Sequence, residues 1–184
     1  AQPPVAWELR RDNGSLWSDD AVTLKIDPRK DRRTTLGFAL NAAGASLDLI
    51  ALDNGKSFLT EYDMVWEGAS SVQEDAWYAE YRIPYTALAF EAGDDTPEPG
   101  FNVSRDHPAR QATDDWTLFP PEFGPASAIH FGTLKGLEGV QGGRPLIFMP
   151  YLGLNALDSS EVNVGGIHFG DELSARLGAD LRVN

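Results

Sequence analysis

The sequence contains no cysteine. Thiol catalysis, Cys-ligated zinc, iron–sulfur clusters and a disulfide scaffold are thereby excluded. Basic residues are scarce: 15 Lys and Arg stand against 28 Asp and Glu, a net charge of −13. A phosphate-backbone binder needs a basic face to release counterions, so nucleic acid is not an expected partner. No apolar run approaches the roughly 18 residues of a membrane-spanning helix. No segment sustains the i, i+3, i+4, i+7 spacing of a long amphipathic helix either. The nucleophile elbow, the H-E-x-x-H zinc helix and both glycine-rich phosphate loops are missing. The three histidines, His107, His130 and His168, have no metal-ligand spacing.

What remains is 184 residues, enough for one domain with or without an appendage, and 42 % of them are hydrophobic. The pattern is β. From Ala21 to Asp27, Val22, Leu24 and Ile26 alternate with Thr23 and Lys25, the period of a half-buried strand. Thr34 to Leu40 alternates in the same way. A turn at Asn41-Ala-Ala-Gly44 returns the chain into Ser46 to Leu52. Asn54-Gly55 is a second turn signal. Met64 to Val72 and Ala76 to Ile83 read as another hairpin, ended by Pro84, which lacks a ladder N–H. Tyr85 to Phe90 reads as one helical turn, Glu91 to Gly100 as an acidic loop and Phe101 to Arg105 as a strand. Asp106 to Ala126 reads as irregular, and Ile129 to Leu134 as a last short strand. About seven short strands suffice for a β-sandwich.

The texture changes after Gly136. Arg144 to Asn155 and Glu172 to Asn184 are long segments separated by a polar, glycine-rich stretch. In the second, Leu173, Ala175, Leu177, Ala179, Leu181 and Val183 alternate with mostly polar residues. A strand of an outer-membrane barrel has this pattern, and so does a long soluble hairpin. The expected fold is therefore all-β: an antiparallel sandwich over 1–136, then a linker and a β-hairpin over 137–184.

Carboxylates are too abundant for any one pair to single out a glycosidase, and the chain reads as more plausibly non-catalytic than an enzyme. Paired aspartates supply hard oxygen ligands, which makes Asp20, Asp94 and Asp95 candidates for a structural Ca²⁺, with ordinary loop acids as the alternative. Trp66 and Trp77 fall inside strands and read as core. Trp17 and Trp116 fall at loop positions, where a flat aromatic face can meet a ligand. Core packing stays open for both.

The segment Leu16-Trp-Ser-Asp-Asp-Ala-Val-Thr-Leu-Lys-Ile-Asp27 resembles the W-x-x-D strand of family 9 carbohydrate-binding modules and related DOMON-like sandwiches. Trp66-Glu67, Glu74-Asp-Ala-Trp77, Arg82-Ile-Pro84 and Phe131-Gly-Thr-Leu134 follow in matching order. Gly143-Arg-Pro-Leu-Ile-Phe-Met-Pro-Tyr151 is similar to the junction with a C-terminal outer-membrane barrel of unknown function.

This resemblance implies a non-catalytic carbohydrate-binding-like module in the bacterial cell envelope, with an oligo- or polysaccharide as partner. Trp17, Trp116 and Asp19 would be the ligand-binding residues. It also implies that the chain is a piece of a longer protein, lacking upstream strands. Open strand edges would then favour a dimer or a strand-pairing partner. Three other readings stand beside it: a plug-like barrel segment without a small ligand, an accessory part of a glycoside hydrolase, and a haem-binding subunit. One departure bears on the sugar site. Family members place an acid six residues after the tryptophan and an arginine on the next strand; Thr23 and Ala39 occupy those positions here.

Overall fold

Val22, Leu24 and Ile26, alternating with Thr23 and Lys25, form strand β1 (Ala21–Asp27), an inner strand of the main sheet in a computed structural model that describes residues 3–88, 90 and 96–140. It also describes the backbone of two later strands, over 146–157 and 172–183. The chain divides into two units, Ala1–Gly143 and Arg144–Asn184.

In the first unit β1 is followed by β2 (Thr35–Asn41), β3 (Ser46–Leu52), β4 (Ser57–Leu59), β5 (Glu67–Val72), β6 (Trp77–Arg82), β7 (Gly100–His107), β8 (Ala112–Asp115) and β9 (Gly132–Thr133). The main sheet runs β4-β3-β2-β1-β7-β8, and β9 pairs with the other end of β7. All of its pairings are antiparallel. Strands β5 and β6 form a separate hairpin. The expected all-β, antiparallel sandwich is the fold observed.

Two apolar clusters hold it. On one face of the sheet, Ile26, Leu36 and Phe38 pack against Met64, Trp66, Leu88, Phe90 and Val140. Trp66 meets Phe38 edge-on at 5.4 Å and stacks on Tyr81 of β6 at 5.8 Å. Such pairs add about 0.5–1.5 kcal/mol each beyond the area they bury. Gly68 permits this approach, since a Cβ there would lie 2.8 Å from Trp66 Cζ3 and 3.0 Å from Leu40 Cδ1. On the opposite face, Leu16, Ala39, Leu47, Leu49 and Ala51 pack with Ala126.

The main sheet is thus covered on both sides, by the β5–β6 hairpin on one and by loops on the other. Strand β2 is buried along its whole length. Alternation alone sends Thr23 and Lys25 to solvent; instead they are 3 % and 6 % exposed. The loops carrying Trp17 and Phe119 rise over that face.

The tryptophan–aspartate segment acts as a clip. Asp19 accepts the backbone N–H groups of Trp7 (3.0 Å) and Glu8 (2.9 Å) and the Asn41 amide (2.8 Å). Asp20 accepts the Val5 N–H at 2.8 Å. Together they tie the entering chain to the start of β1. Asp48 does similar work on β3, accepting from the Arg11 guanidinium at 2.6 Å and from the Trp66 indole at 3.0 Å. Burial nevertheless pushes its carboxyl above the usual range.

The structure departs from the sequence expectations in three places. Strand β4 was not anticipated. Within the stretch read as irregular, Ala112–Asp115 pairs with β7. Of the strand expected over Ile129 to Leu134, Gly132–Thr133 is the part that pairs as a strand, and Ala128–His130 forms a 3₁₀ turn. Each of these strands has two to four residues, too few to show a period. In the second unit, β10 (Leu146–Leu157) and β11 (Glu172–Val183) pair antiparallel along all twelve residues.

Candidate functional site

Strand alternation gives the sheet face under the loops a polar floor. Thr23 and Lys25 project from β1, Ser104 and Asp106 from β7, and Thr113 and Asp115 from β8, around a cavity of about 610 Å³. Register lines them up: Thr23 stands opposite Ser104, Ser104 opposite Asp115, and Asp106 opposite Thr113. Gly37 keeps the neighbouring β2 position low; a Cβ there would lie 3.0 Å from the Leu49 side chain. Trp17, Phe58 and Phe119 supply apolar wall. Trp17 is 41 % exposed and Phe58 52 %.

The floor is mostly self-satisfied. Lys25 Nζ donates to Ser104 Oγ and lies 3.2 Å from Asp115 Oδ1. Ser104 Oγ donates in turn to Asp115. Asn102 is turned inward, accepting from the backbone N–H groups of Thr117 and Val103. Burial lowers the Lys25 pKa, and the Asp115 carboxylate opposes that shift. A serine beside a lysine invites comparison with a nucleophile and its base. The polarity is wrong for that chemistry. Ser104 accepts from the ammonium and sends its own proton to Asp115, so Lys25 is no acceptor for it.

Two groups are left over. Asp106 Oδ1 accepts from Thr113 Oγ1 at 2.7 Å, while its Oδ2 takes no hydrogen bond from the described residues. Burial pushes this carboxyl up, and the Thr113 hydroxyl and Lys25 pull it back in smaller measure. Thr23 Oγ1 is buried with no partner among the described residues. A buried hydroxyl left unpaired costs about 1–3 kcal/mol, so it stands ready for an acceptor or donor that enters the cavity.

The residues expected at a site separate. Trp17 lines the cavity. Asp19 does not: it is 1 % exposed and its oxygens are taken by the Trp7, Glu8 and Asn41 donors. Trp116 lies beyond Asp115 on the other side of β8. Its ring packs edge-on to Phe101 and directly over Gly132, so it cannot face Trp17 across one ligand. The cause is alternation, since Asp115 takes the cavity side. Asp20 sits in a second groove, of about 630 Å³, near Trp77, Arg105 and His107. It pairs there with Arg105 at 3.6 Å. Asp20 therefore has a protein cation as its ion-pair partner, and no cluster of three or more His, Asp or Glu suited to a metal occurs among the described residues. Asp94 and Asp95 lie outside the described residues. Trp77, expected in the core, is half-buried on this groove with Arg105 5.6 Å above its ring.

Sequence reasoning missed Lys25, Phe58, Asp106 and Phe119. A lysine amid the alternating apolar residues of β1 was the available signal. Phe58 and Phe119 sat in segments with no legible period.

No family model matches the chain, and no curated protein does. Among solved structures, the fold is similar to that of a "putative carbohydrate-binding protein" from Bacteroides uniformis ATCC 8492. The TM-score is 0.50 at 22 % identity, over 67 % of this chain. The chain spans 64 % of that protein's length. At that identity the likeness speaks for the sandwich fold.

Proposed function

We propose that residues 1–143 form a non-catalytic carbohydrate-binding module whose ligand lies in the cavity over β1, β7 and β8. The observation that carries this is the pairing of an aromatic wall, Trp17 with Phe58, and a floor on which the Thr23 hydroxyl and Asp106 Oδ2 have no partner among the described residues. Sugars are amphipathic in the same sense. Their C–H faces stack on flat aromatic rings, and their hydroxyls need hydrogen-bond partners. The carbohydrate-binding description of the Bacteroides protein with a similar fold supports the reading. So does the resemblance to family 9 modules. Thr23 stands where that family has an acid, and Asp106 supplies a carboxylate to the same surface from β7.

The cell envelope belongs to the same proposal, with β10 and β11 as the first strands of an outer-membrane barrel. Their twelve paired positions suit a tilted membrane strand of about 9–11 residues. A dimer or strand-pairing partner would use β5 and β6, each of which pairs only with the other among the described residues.

The test is calorimetric titration with cello-, xylo- and manno-oligosaccharides. Saturable binding that disappears in Trp17→Ala supports the proposal. Absence of binding across the set, or binding that Trp17→Ala leaves unchanged, overturns it.

A further inference from the structure

The charges on the cavity floor do not balance. Among the described residues it carries one cation, Lys25, and two carboxylates, Asp106 and Asp115. Asp115 holds the lysine at 3.2 Å and takes the Ser104 proton as well. Asp106 is left as the excess negative charge, half-buried, with Oδ2 facing no donor of the described residues. Thr23 lies diagonal to it across the β1–β7 ladder, because Ala21 pairs with Asp106 and Thr23 with Ser104. Thr23 is 3 % exposed and its Oγ1 is unpartnered. The free groups of the floor are therefore two acceptors, one of them charged, and a hydroxyl proton. Among the described residues that line the cavity, no unengaged cation is present to meet an anionic ligand.

We infer that the cavity selects by charge, taking sugars that bear a basic amino group ahead of neutral ones and rejecting those that bear a carboxylate. This rests on the carbohydrate reading of the same cavity. An ammonium would place its donors on Asp106 Oδ2 and bring the floor to neutrality. Charge-assisted hydrogen bonds of this kind are roughly twice as strong as neutral ones. A uronate would add a second uncompensated charge in a partly desolvated site, where like charges repel over several ångströms with little screening. Neutral hydroxyls fall between, accepting from Thr23 or donating to Asp106.

Three β-1,4-linked disaccharides read this out by calorimetry at pH 6: cellobiose, the glucosamine disaccharide, and a glucuronate-containing analogue of cellobiose. The expected order is amine, then neutral, then acid, with the amine bound about tenfold or more tighter than cellobiose. The amine's advantage should shrink as salt is raised from 0.01 to 0.5 M, since the Debye length shortens. In Asp106→Asn the ratio of amine to neutral affinity should fall to near one. If cellobiose binds and the amine binds no better, or the uronate binds as well, the charge inference fails and the carbohydrate reading stands. A ratio that survives Asp106→Asn also overturns it. If none of the three binds, and the neutral oligosaccharides named above do not either, the carbohydrate reading fails and takes the inference with it.

Discussion

Replacing Thr23 by valine removes one hydroxyl and keeps the branched shape that β1 uses. The hydroxyl is buried, with Thr23 3 % exposed and Oγ1 unpartnered among the described residues. An unpaired buried hydroxyl costs about 1–3 kcal/mol, so its removal should raise the stability of the free protein. About 1 kcal/mol, the low end of that range, is the expected size. For a chain of this length that corresponds to roughly 2–4 °C in Tm. Ligand affinity should move the other way. Losing one hydrogen bond worth about 0.5–1.5 kcal/mol weakens binding by about 2- to 12-fold. Urea denaturation gives the first quantity, provided the slope m is unchanged. Calorimetric titration with the best-bound oligosaccharide gives the second. A structural hydroxyl would give the opposite pair of results. A loss of more than about 1 kcal/mol with unchanged affinity would refute the assignment of Thr23 to the ligand.

Trp17→Ala should abolish ligand binding at little cost in stability, because the ring is 41 % exposed; a loss of about 3–5 kcal/mol would mark it as core. Gly68→Ala should cost about 1–3 kcal/mol, since the new methyl would sit 2.8 Å from Trp66 Cζ3 and force the ring off Tyr81; an unchanged urea midpoint would contradict this. Asp106→Asn tests the burial of that acid through pH. The folded protein holds the Asp106 carboxyl above the roughly 3.9 of a free aspartate, so it binds the proton more tightly than the unfolded chain does. Its ionisation therefore works against folding as pH rises through the raised pKa. The variant should match the wild type near pH 3 and be the more stable of the two at pH 7. A variant less stable at pH 7, with the gap closing in acid, would mean that Asp106 is instead stabilised by its partners.

The strands with four or more alternating residues were legible, because period 2 is a direct readout of two faces. The β2–β3 and β5–β6 hairpins follow from Gly44 and from the Gln73 turn, and both are present. Alternation does not say what lies on each face. Thr23 and Lys25 look like solvent residues in β1, and they become a buried floor only because the loops carrying Trp17 and, far along the chain, Phe119 fold over them. Lys25 and Asp115 lie 90 residues apart. No local pattern marks that pairing. The aspartates of the tryptophan segment misled in the other direction. Asp19 and Asp20 have the chemistry of ligands, and the fold spends them on the backbone of Val5, Trp7 and Glu8. Trp116 shows the same limit. A loop tryptophan reads as a ligand face, and its ring is 61 % exposed, but a one-residue offset from Asp115 turns it away from the Trp17 cavity to the opposite side of the sheet, onto Gly132.

The most direct measurement is a crystal structure of residues 1–143 with the tightest-bound oligosaccharide. One sugar ring should lie against Trp17, with its polar atoms within hydrogen-bond distance of Thr23 Oγ1 and Asp106 Oδ2. A ring seated away from Trp17, with both of those oxygens untouched, would contradict the account.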